Sequence, residues 1–578
     1  MKKILYPIYA ALLMTFSALT SSCVGDLEAL PFNPDDFNSE NAYGNEYSNY
    51  VSGLAKLYRA FNNTSGLEVD DAGASELVRA FWCIQESSTD ACKNNWAKDS
   101  WTQDINMNTW STADNTATYA LYCRTLHGIT YANEFLRQTT DDKLSERGCD
   151  QDLIKRIHSL RAEARFIRAY LYWMGIDTFG DVPFVTEQSE FGAAAPEIRS
   201  RSEVFDFIVE ELTELALGDE LQAPGSNYPR ADKGSAWGLL SRIYLNAEVY
   251  KSKVDAGGNV VEKGEGMWAE CAAACEEVFK GGYGLCSHYP DLFRGDNGTN
   301  PDAVQEFLFA IDYDEINMLG WGGTIFLVQS CFSAGDDVDD EGKPLYSLGV
   351  ADGWAGIRMP SEYVFRYFGV TVPEEGYDEE GRYTGIYENP RNDARATLFF
   401  NKGHYEEMTD LGEFTQGWSF YKFNNIPHDK TREEFASTAA SYGTTSAKCG
   451  VDYPMMRLAE IYLNYAEACL HTRQTELGLQ YLNKVRERAG VEPLRDYGLE
   501  DVKNERAVEL AWEGFRRIDL IRWDMYCGGN YLWKWKGGSY EGQPFPEHML
   551  VFDFPQSEIT ANSNLSHKPG YTPAASDN

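Results

Sequence analysis

The sequence predicts a mainly α-helical protein, in which a single domain of helical hairpins is interrupted by long, loop-rich insertions carrying short strands. Three observations favour this fold class: helical apolar spacing in several segments, a hairpin repeat pattern at irregular intervals, and two long aperiodic stretches. The 578 residues would allow up to four domains at roughly 150 residues each. The interrupted repeat instead indicates one large domain.

The amino terminus has the features of a bacterial lipoprotein signal. Met1–Lys3 is basic, Ile4–Leu19 is apolar, and the small residues Thr20–Ser22 lead into Cys23. We interpret residues 1–22 as a lipoprotein signal peptide, Cys23 as the lipidation site and residues 23–45 as a lipidated tether. A generic signal peptide with an incidental cysteine is the alternative. No later segment approaches 18 uncharged apolar residues, so the sequence predicts that the domain at 46–578 is tethered to a membrane by lipid only.

Helical periodicity is clearest in two places. In Ser159–Gly175 the apolar residues recur at alternating steps of four and three, on Leu160, Ala164, Ile167, Leu171 and Met174. A second stripe runs through Arg457–Leu470 and is followed by another at 479–489. The latter two segments predict a helical hairpin.

The repeat pattern is that of tetratricopeptide units. Trp237, Leu240, Ser241 and Tyr244 match the first-helix pattern W-x2-L-G-x2-Y, with serine as the small residue. Weaker matches occur at Val51, Leu54, Ala55 and Tyr58, at Met455, Leu458, Ala459 and Tyr462, and at Phe166 and Tyr170. We therefore expect tetratricopeptide-like helices at about 46–280 and 453–525, with Trp237 and Trp512 in the core.

The two insertions, at about 67–118 and 281–423, are rich in tryptophan and glycine and lack a sustained period. Glu306–Asp312 and Thr324–Gln329 have strand-like composition. Gly528–Gly542 forms another glycine-rich loop. Loops of this length in a compact domain are usually functional.

Composition limits the function further. A formal net charge of −38 would repel phosphate backbones, so nucleic acid is not an expected partner. Aromatic residues make up 14% of the chain. Tyrosine and tryptophan suit partly solvated surfaces, because each combines an apolar ring with a polar O–H or N–H group.

The spacing of possible ligands predicts no structural zinc and no cofactor site. Of 12 cysteines, lipidation of Cys23 would leave an odd number, so at least one stays unpaired. Cys271 and Cys275 lie at i, i+4 without a second pair, which favours buried thiols over zinc. In the acidic run Asp336–Gly342 the EF-hand pattern fails, because its twelfth position falls on Leu348; a looser calcium site stays open.

Several segments together resemble the SusD/RagB family of cell-surface glycan-binding lipoproteins of Bacteroidetes. They cover nearly the whole predicted mature chain and are Tyr50–Tyr58, Gly128–Phe135, Ala162–Tyr170, Phe179–Pro183, Pro229–Ala236, Arg457–Glu467, Leu482–Gly490, Glu505–Arg517 and Pro555–Ile559. The resemblance implies eight helices in four tetratricopeptide-like pairs that support a loop-rich binding face. It also implies an outer-membrane, lipid-anchored protein that caps a SusC-like TonB-dependent transporter and hands it oligosaccharides without chemistry.

Sugar rings have apolar C–H faces and a hydroxyl rim, so a glycan site needs flat aromatic rings flanked by polar groups. In the family, the stretch corresponding to Glu86–Asp90 precedes an aromatic loop close to the ligand. The candidate glycan-binding residues are Asp90, Trp96, Trp101, Trp110, Trp321, Trp354, Arg391 and Tyr421. The alternative for each tryptophan is a ring packed beneath a loop; for Arg391 it is a guanidinium that braces local carbonyls.

Two other functions stay open. A glycoside hydrolase needs two suitably placed carboxylates, and the 89 acidic residues do not exclude such a pair. No G-x-S-x-G, P-loop or H-E-x-x-H motif is present in the sequence. A peptide-importing protein on the same scaffold would have similar helices.

Overall fold

The computed structural model describes residues 42–67, 69, 72–96, 99–111, 115–189, 195–315, 320–333, 348–350, 352–439 and 449–571. The predicted signal peptide, Cys23 and the acidic run Asp336–Gly342 lie outside these residues.

The prediction of a mainly α-helical fold is confirmed. Nineteen α-helices lie within the described ranges: α1 Tyr47–Tyr58, α2 Leu77–Trp82, α3 Ser100–Met107, α4 Thr116–Gln138, α5 Asp141–Glu146, α6 Gln151–Phe179, α7 Arg201–Leu217, α8 Lys233–Leu245, α9 Ala247–Tyr250, α10 Trp268–Phe279, α11 Pro301–Val304, α12 Gly323–Ser330, α13 Ser361–Tyr363, α14 Arg432–Ala439, α15 Leu458–Thr472, α16 Thr475–Arg488, α17 Leu499–Glu509, α18 Arg516–Arg522 and α19 Gln556–Ala561.

The longest helix, α6, is the centre of the amino-terminal half. The Asp150 side chain caps its first turn by accepting a hydrogen bond from the Leu153 N–H, and Gly180, at φ +69°, ends it. All five residues of the predicted apolar stripe are buried. The polar face is covered as well: Arg168 is buried and its guanidinium lies 2.7 Å from the Glu211 carboxylate of α7.

The helices pack in a continuous row. Helix α6 contacts α1, α4 and α7; α7 contacts α8; α8 contacts α10; α10 contacts α15; and α15 contacts α16 and α17. The predicted hairpin is α15 and α16, separated by a short turn in which Arg473 takes a left-handed backbone conformation at φ +61°. The row supports a second layer made of the insertions.

The strands of the described ranges are short and form five two-stranded antiparallel ladders. Their bounds are β1 Lys93–Asn94, β2 Val182–Pro183, β3 Ile198–Arg199, β4 Lys253–Val254, β5 Val260–Glu262, β6 Phe307–Ile311, β7 Ile357–Arg358, β8 Phe399–Phe400, β9 Ser419–Phe420 and β10 Tyr453–Arg457. The pairs are β1 with β7, β2 with β3, β4 with β5, β6 with β10 and β8 with β9. Strand β6 confirms the prediction at Glu306–Asp312.

The strand prediction at Thr324–Gln329 is wrong, because this segment lies in helix α12. Every residue from Gly323 to Ser330 is buried. A short helix made mostly of apolar residues shows no amphipathic period, and its composition is the same as that of a buried strand.

A buried network of charges joins the second insertion to the helical row. The Arg457 guanidinium, at the start of α15, is 2.8 Å from Glu306, 2.5 Å from Glu509 and 2.6 Å from Glu513. Insertion residues enter the same network: the Lys422 Nζ lies 2.6 Å from Glu513, and Arg395 contacts Glu509 at 2.9 Å. Five cations and five carboxylates take part, namely Arg395, Lys422, Arg457, Arg486, Arg488, Glu306, Asp393, Glu505, Glu509 and Glu513.

The five cations and five carboxylates of this network neutralise one another, and the free energy of unfolding depends on that pairing. Burial opposes ionisation of Glu509, but Arg488, Arg457 and Arg395 hold its pKa well below the ordinary value. Removing one member would leave a buried charge without its partner, which is strongly destabilising. The insertion is therefore fixed to the scaffold by ion pairs as well as by apolar contacts.

The eleven described cysteines are all buried, and none of them takes part in a disulfide bond. Cys271 and Cys275 lie inside α10, where burial raises the pKa of the Cys275 thiol well above its ordinary value. Over the same residues, no helix is both long and apolar enough to cross a membrane.

Candidate ligand-binding surface

Trp321 lies on a tight turn that exposes its ring. The turn Gly320–Gly323 packs against the chain before α2, where an added Cβ at Gly322 would meet the Glu76 carboxylate at 2.4 Å. The Arg79 Nη1 donates a hydrogen bond of 3.0 Å to the Trp321 carbonyl oxygen. The turn is thus held by its backbone, and the Trp321 side chain remains 40% exposed.

Trp354 lies beside Trp321. Its backbone N–H donates to the Gln329 carbonyl at the end of α12, at 2.6 Å, and it forms a bridge with Ser333. The ring centroids of Trp321 and Trp354 are 5.7 Å apart, with an interplanar angle of 50°.

Trp96 follows β1 and completes the group. The Asn95 N–H donates to the Gly356 carbonyl at 2.6 Å, and an added Cβ at Gly356 would lie 2.0 Å from the Trp96 ring. Only glycine therefore allows the Trp96 ring to lie across the end of β7. The Trp96 and Trp354 centroids are 6.5 Å apart. We call Trp96, Trp321 and Trp354 the tryptophan platform.

The indole N–H groups of the platform differ from those of four buried tryptophans. Trp82, Trp110, Trp418 and Trp512 each donate an internal hydrogen bond of 2.8–3.1 Å. Over the described residues, no protein acceptor is found for the indole N–H of Trp96, Trp321 or Trp354. The platform thus combines partly open ring faces with donors that a polar ligand can use.

A buried acid lies directly behind the platform. The Glu76 Oε1 accepts a hydrogen bond of 2.7 Å from the Tyr313 hydroxyl, while its Oε2 is buried without a partner among the described residues. Burial raises the pKa of Glu76 to about 7, against the opposing effects of Tyr313 and Arg79. Arg79, Glu76 and Tyr313 were missed by sequence reasoning, since nothing local marks them as neighbours of Trp321.

Other predicted residues lie elsewhere. Trp110 is in the core: its ring centroid is 4.4 Å from that of Phe552, and its indole N–H donates to the Tyr571 hydroxyl at 2.9 Å. Trp101 is half-buried against the core, and the ring contacts found among the described residues do not join it to the platform. These positions leave both outside the tryptophan platform.

Asp90 and Arg391 have structural partners. Both Asp90 oxygens accept hydrogen bonds of 2.7 Å from the Arg516 guanidinium, and the Tyr531 hydroxyl also donates to this carboxylate. Asp90 is buried at the base of a cleft of about 190 Å³. The Arg391 Nη1 donates to the Tyr367 carbonyl at 2.7 Å, which agrees with the brace interpretation.

Tyr421 occupies an intermediate position. It is half-buried, its ring stacks on Phe400 with centroids 5.6 Å apart, and it contacts Phe332 edge to face. The Phe332 carbonyl accepts a hydrogen bond from the backbone N–H of Ala355, next to Trp354. Tyr421 therefore lies close to the platform through Phe332.

One group of described residues has the spacing of metal ligands. Asp296, His428 and Asp429 offer ligand atoms within 4.8 Å of one another. The His428 Nδ1 lies 2.6 Å from an Asp296 oxygen, and this hydrogen bond raises the pKa of the imidazole. An exposed histidine–carboxylate pair accounts for the arrangement.

Comparison with known proteins gives a consistent picture. The model of the SusD family matches residues 329–571, and a related model, described as starch-binding associating with outer membrane, matches residues 71–245. The starch-binding protein SusD of Bacteroides thetaiotaomicron is 29% identical, with 97% of this chain and 98% of that protein covered.

Solved structures share the fold. Surface glycan-binding protein A from Bacteroides uniformis gives a TM-score of 0.64 at 16% identity, covering 91% of this chain and 100% of the other. A SusD-like carbohydrate-binding protein from Bacteroides fragilis gives 0.63 at 21% identity, with coverages of 90% and 99%.

Proposed function

Because this chain belongs to the SusD family, we propose that it binds a glycan on the tryptophan platform and delivers it, without chemistry, to a TonB-dependent outer-membrane transporter. The observation that carries the proposal is the platform itself. Its three rings lie 5.7 and 6.5 Å from their neighbours, are partly exposed, and have indole N–H groups without acceptors among the described residues.

The geometry suits a sugar chain for physical reasons. The C–H face of a pyranose packs on an indole face, and the hydroxyl rim accepts from and donates to polar neighbours. The rings are inclined to each other by 50° and 60°, so they form a curved surface. A curved surface fits a glycan whose successive rings change direction better than it fits a flat ligand.

Little energy is needed to form this surface when a ligand arrives. The Arg79 guanidinium donates to the Trp321 carbonyl, and backbone hydrogen bonds run from Trp354 to Gln329 and from Asn95 to Gly356. These three bonds hold the turns in place. Binding to a preformed site avoids the entropic cost of ordering loops. The rings therefore supply affinity rather than structure.

Nutrient import requires a position at the cell surface. We propose that acylation of Cys23 anchors the protein in the outer membrane through its tether. Substitution Cys23→Ala should move the protein from the membrane fraction to the soluble fraction, as measured by immunoblotting of fractionated cells. Retention of the variant on membranes would contradict the anchor.

The binding proposal is tested by isothermal titration of the purified domain with maltoheptaose, laminarin oligosaccharides and a peptide mixture. Maltoheptaose is the first probe because the curated relative is a starch-binding protein. We expect saturable heat with a glycan and no new reducing ends on incubation. Saturable binding of peptides alone would favour a peptide importer, and released sugar would indicate a hydrolase.

A further inference from the structure

The cleft that Asp90 lines is at one end of the β1–β7 ladder, and Trp96 is at the other end. Strand β1 pairs with β7 so that Lys93 faces Arg358 and Asn94 faces Ile357. Because the strands are antiparallel, Trp96 and Gly356 meet at one end of the ladder, while Asp90 and Pro360 lie towards the opposite end. Gly356 and Pro360 are four residue steps apart along extended chain, a distance of about 13 Å.

The walls of this cleft are aromatic and its base is fixed. It has a volume of about 190 Å³ and lies between the segment Glu362–Tyr367 and the segment Tyr531–Lys534, with Asp90 among its lining residues. The Tyr367 and Tyr531 hydroxyls are 2.8 Å apart, and Arg516 holds both Asp90 and the Tyr367 hydroxyl. Leu532 is 44% exposed beside the cleft.

The mouth carries polar groups of both signs. Arg366 lies with its guanidinium 4.9 Å from the Tyr531 ring centroid, and among the described residues it forms no ion pair. Glu362, one turn earlier, likewise has no side-chain hydrogen bond or ion pair there. Lys534 and Glu541 pair with each other at 2.9 Å. Among these lining side chains Arg366 and Lys534 balance Glu362 and Glu541. Burial and the nearby Glu407 and Glu406 carboxylates raise the pKa of Glu362, so the surroundings add negative charge. The cleft therefore suits a neutral, hydroxylated ligand better than an anion.

An exposed aromatic surface lies between the two sites. The Asn95 Nδ2 donates to the Glu413 carbonyl at 2.7 Å, and the Arg358 Nη2 donates to the Phe414 carbonyl at 3.0 Å. The loop that carries Phe414 therefore lies against the β1–β7 ladder, and the Phe414 side chain is 36% exposed. The same loop contacts the residue that follows the Tyr531–Lys534 wall, because the Trp535 Nε1 donates to the Met408 carbonyl at 2.8 Å.

We propose that this cleft is a second glycan subsite, which takes a neutral sugar unit of a chain that also occupies the tryptophan platform. The inference rests on the proposed function and adds to it a preference for longer chains. A short oligosaccharide fills the platform alone, whereas a longer chain passes Phe414 and also reaches Arg366 and Glu362.

The test compares chain lengths. Affinities of maltotriose, maltoheptaose and amylose, and of laminarin oligomers of matching lengths, are measured for the wild type, for Arg366→Ala with Glu362→Gln, and for Leu532→Ala. Leu477→Ala, which alters an exposed leucine on α16, is the matched control. The subsite variants avoid Asp90, Arg516 and Tyr531, which hold the cleft together.

We expect the double variant to bind the longest chains about tenfold more weakly while its affinity for the trisaccharide stays unchanged. Equal affinity of wild type and variants at every length would overturn the second subsite, and so would an equal loss at every length. A wild type that binds no glycan of any length would contradict the proposed function itself, which distinguishes the two failures.

Discussion

The tryptophans of the two insertions fall into two groups that share a local composition but differ in their surroundings. Trp110 and Trp418 are buried, and their indole N–H groups donate to Tyr571 and to Ser361, at 2.9 and 3.1 Å. Trp321 and Trp354 are partly exposed, without an indole acceptor among the described residues. In these four rings, an internal partner of the indole N–H, rather than the number of tryptophans in a loop, distinguishes the buried pair from the partly exposed pair.

The largest expected effect concerns the buried group. Trp110→Ala removes a ring packed on Phe552 and Phe545, and should lower the free energy of unfolding by about 3–5 kcal/mol. Urea denaturation measures the loss, and glycan affinity of the folded fraction should be unchanged. A stable variant with lost glycan binding would move Trp110 into the ligand-contacting group.

The next prediction concerns the pH dependence of folding stability and the Glu76 carboxyl, which is buried behind the exposed rings. Its ordinary pKa of 4.5 is raised to about 7 in the folded chain, so folding stability contributed by the protonated form is lost as pH rises from about 4.5 to 7. Glu76→Gln should remove this decline, and its stability relative to the wild type should change by about 2–3 kcal/mol between pH 4.5 and 8.

Denaturation at several pH values, compared with the exposed substitution Glu476→Gln, measures the difference. Parallel pH profiles for wild type and Glu76→Gln would show that this carboxyl does not titrate in the range.

Trp321→Ala should weaken glycan binding by about 2 kcal/mol, or roughly 30-fold, because a central aromatic contact is lost. Its melting temperature should stay close to that of the wild type, since the ring is 40% exposed. Tyr131→Ala, which removes a ring that is 39% exposed on α4, is the matched control for binding. A large drop in stability would place Trp321 with the core rings.

The smallest effect is expected at Arg391. Arg391→Ala removes one hydrogen bond to the Tyr367 carbonyl and should cost about 1 kcal/mol of stability, with glycan affinity unchanged. Titration and thermal unfolding of the same preparation give both values. A tenfold loss of affinity without loss of stability would restore Arg391 as a ligand contact.

The sequence predicted the helical scaffold better than the binding face. The stripe in α6 and the hairpin of α15 and α16 follow from apolar spacing, which depends on local geometry. Helix α12 was missed because its short, mostly apolar sequence has no polar face from which a period could be detected. Local pattern thus predicts helices whose apolar and polar residues lie on separate faces, even where the polar face is buried, as in α6 and α15.

On the binding face, glycine was the useful signal. Trp321 has glycine on both sides and Trp354 follows Gly353, and both rings are partly exposed. Trp96 depends on Gly356, which is distant in the chain, and the role of Asp90 depends on Arg516. Contacts between residues that far apart are set by tertiary packing, so a single sequence does not reveal them.

The balanced charge network around Arg457 has a consequence for local opening of the chain. Residues 395 and 422 of the loop-rich insertion share buried carboxylates with α17 and the segment after it. Opening that part of the insertion alone would break buried ion pairs, so its amide protons should exchange only when the adjoining helices also open. A surface built largely from loops can thereby resist proteases as well as the helices beneath it.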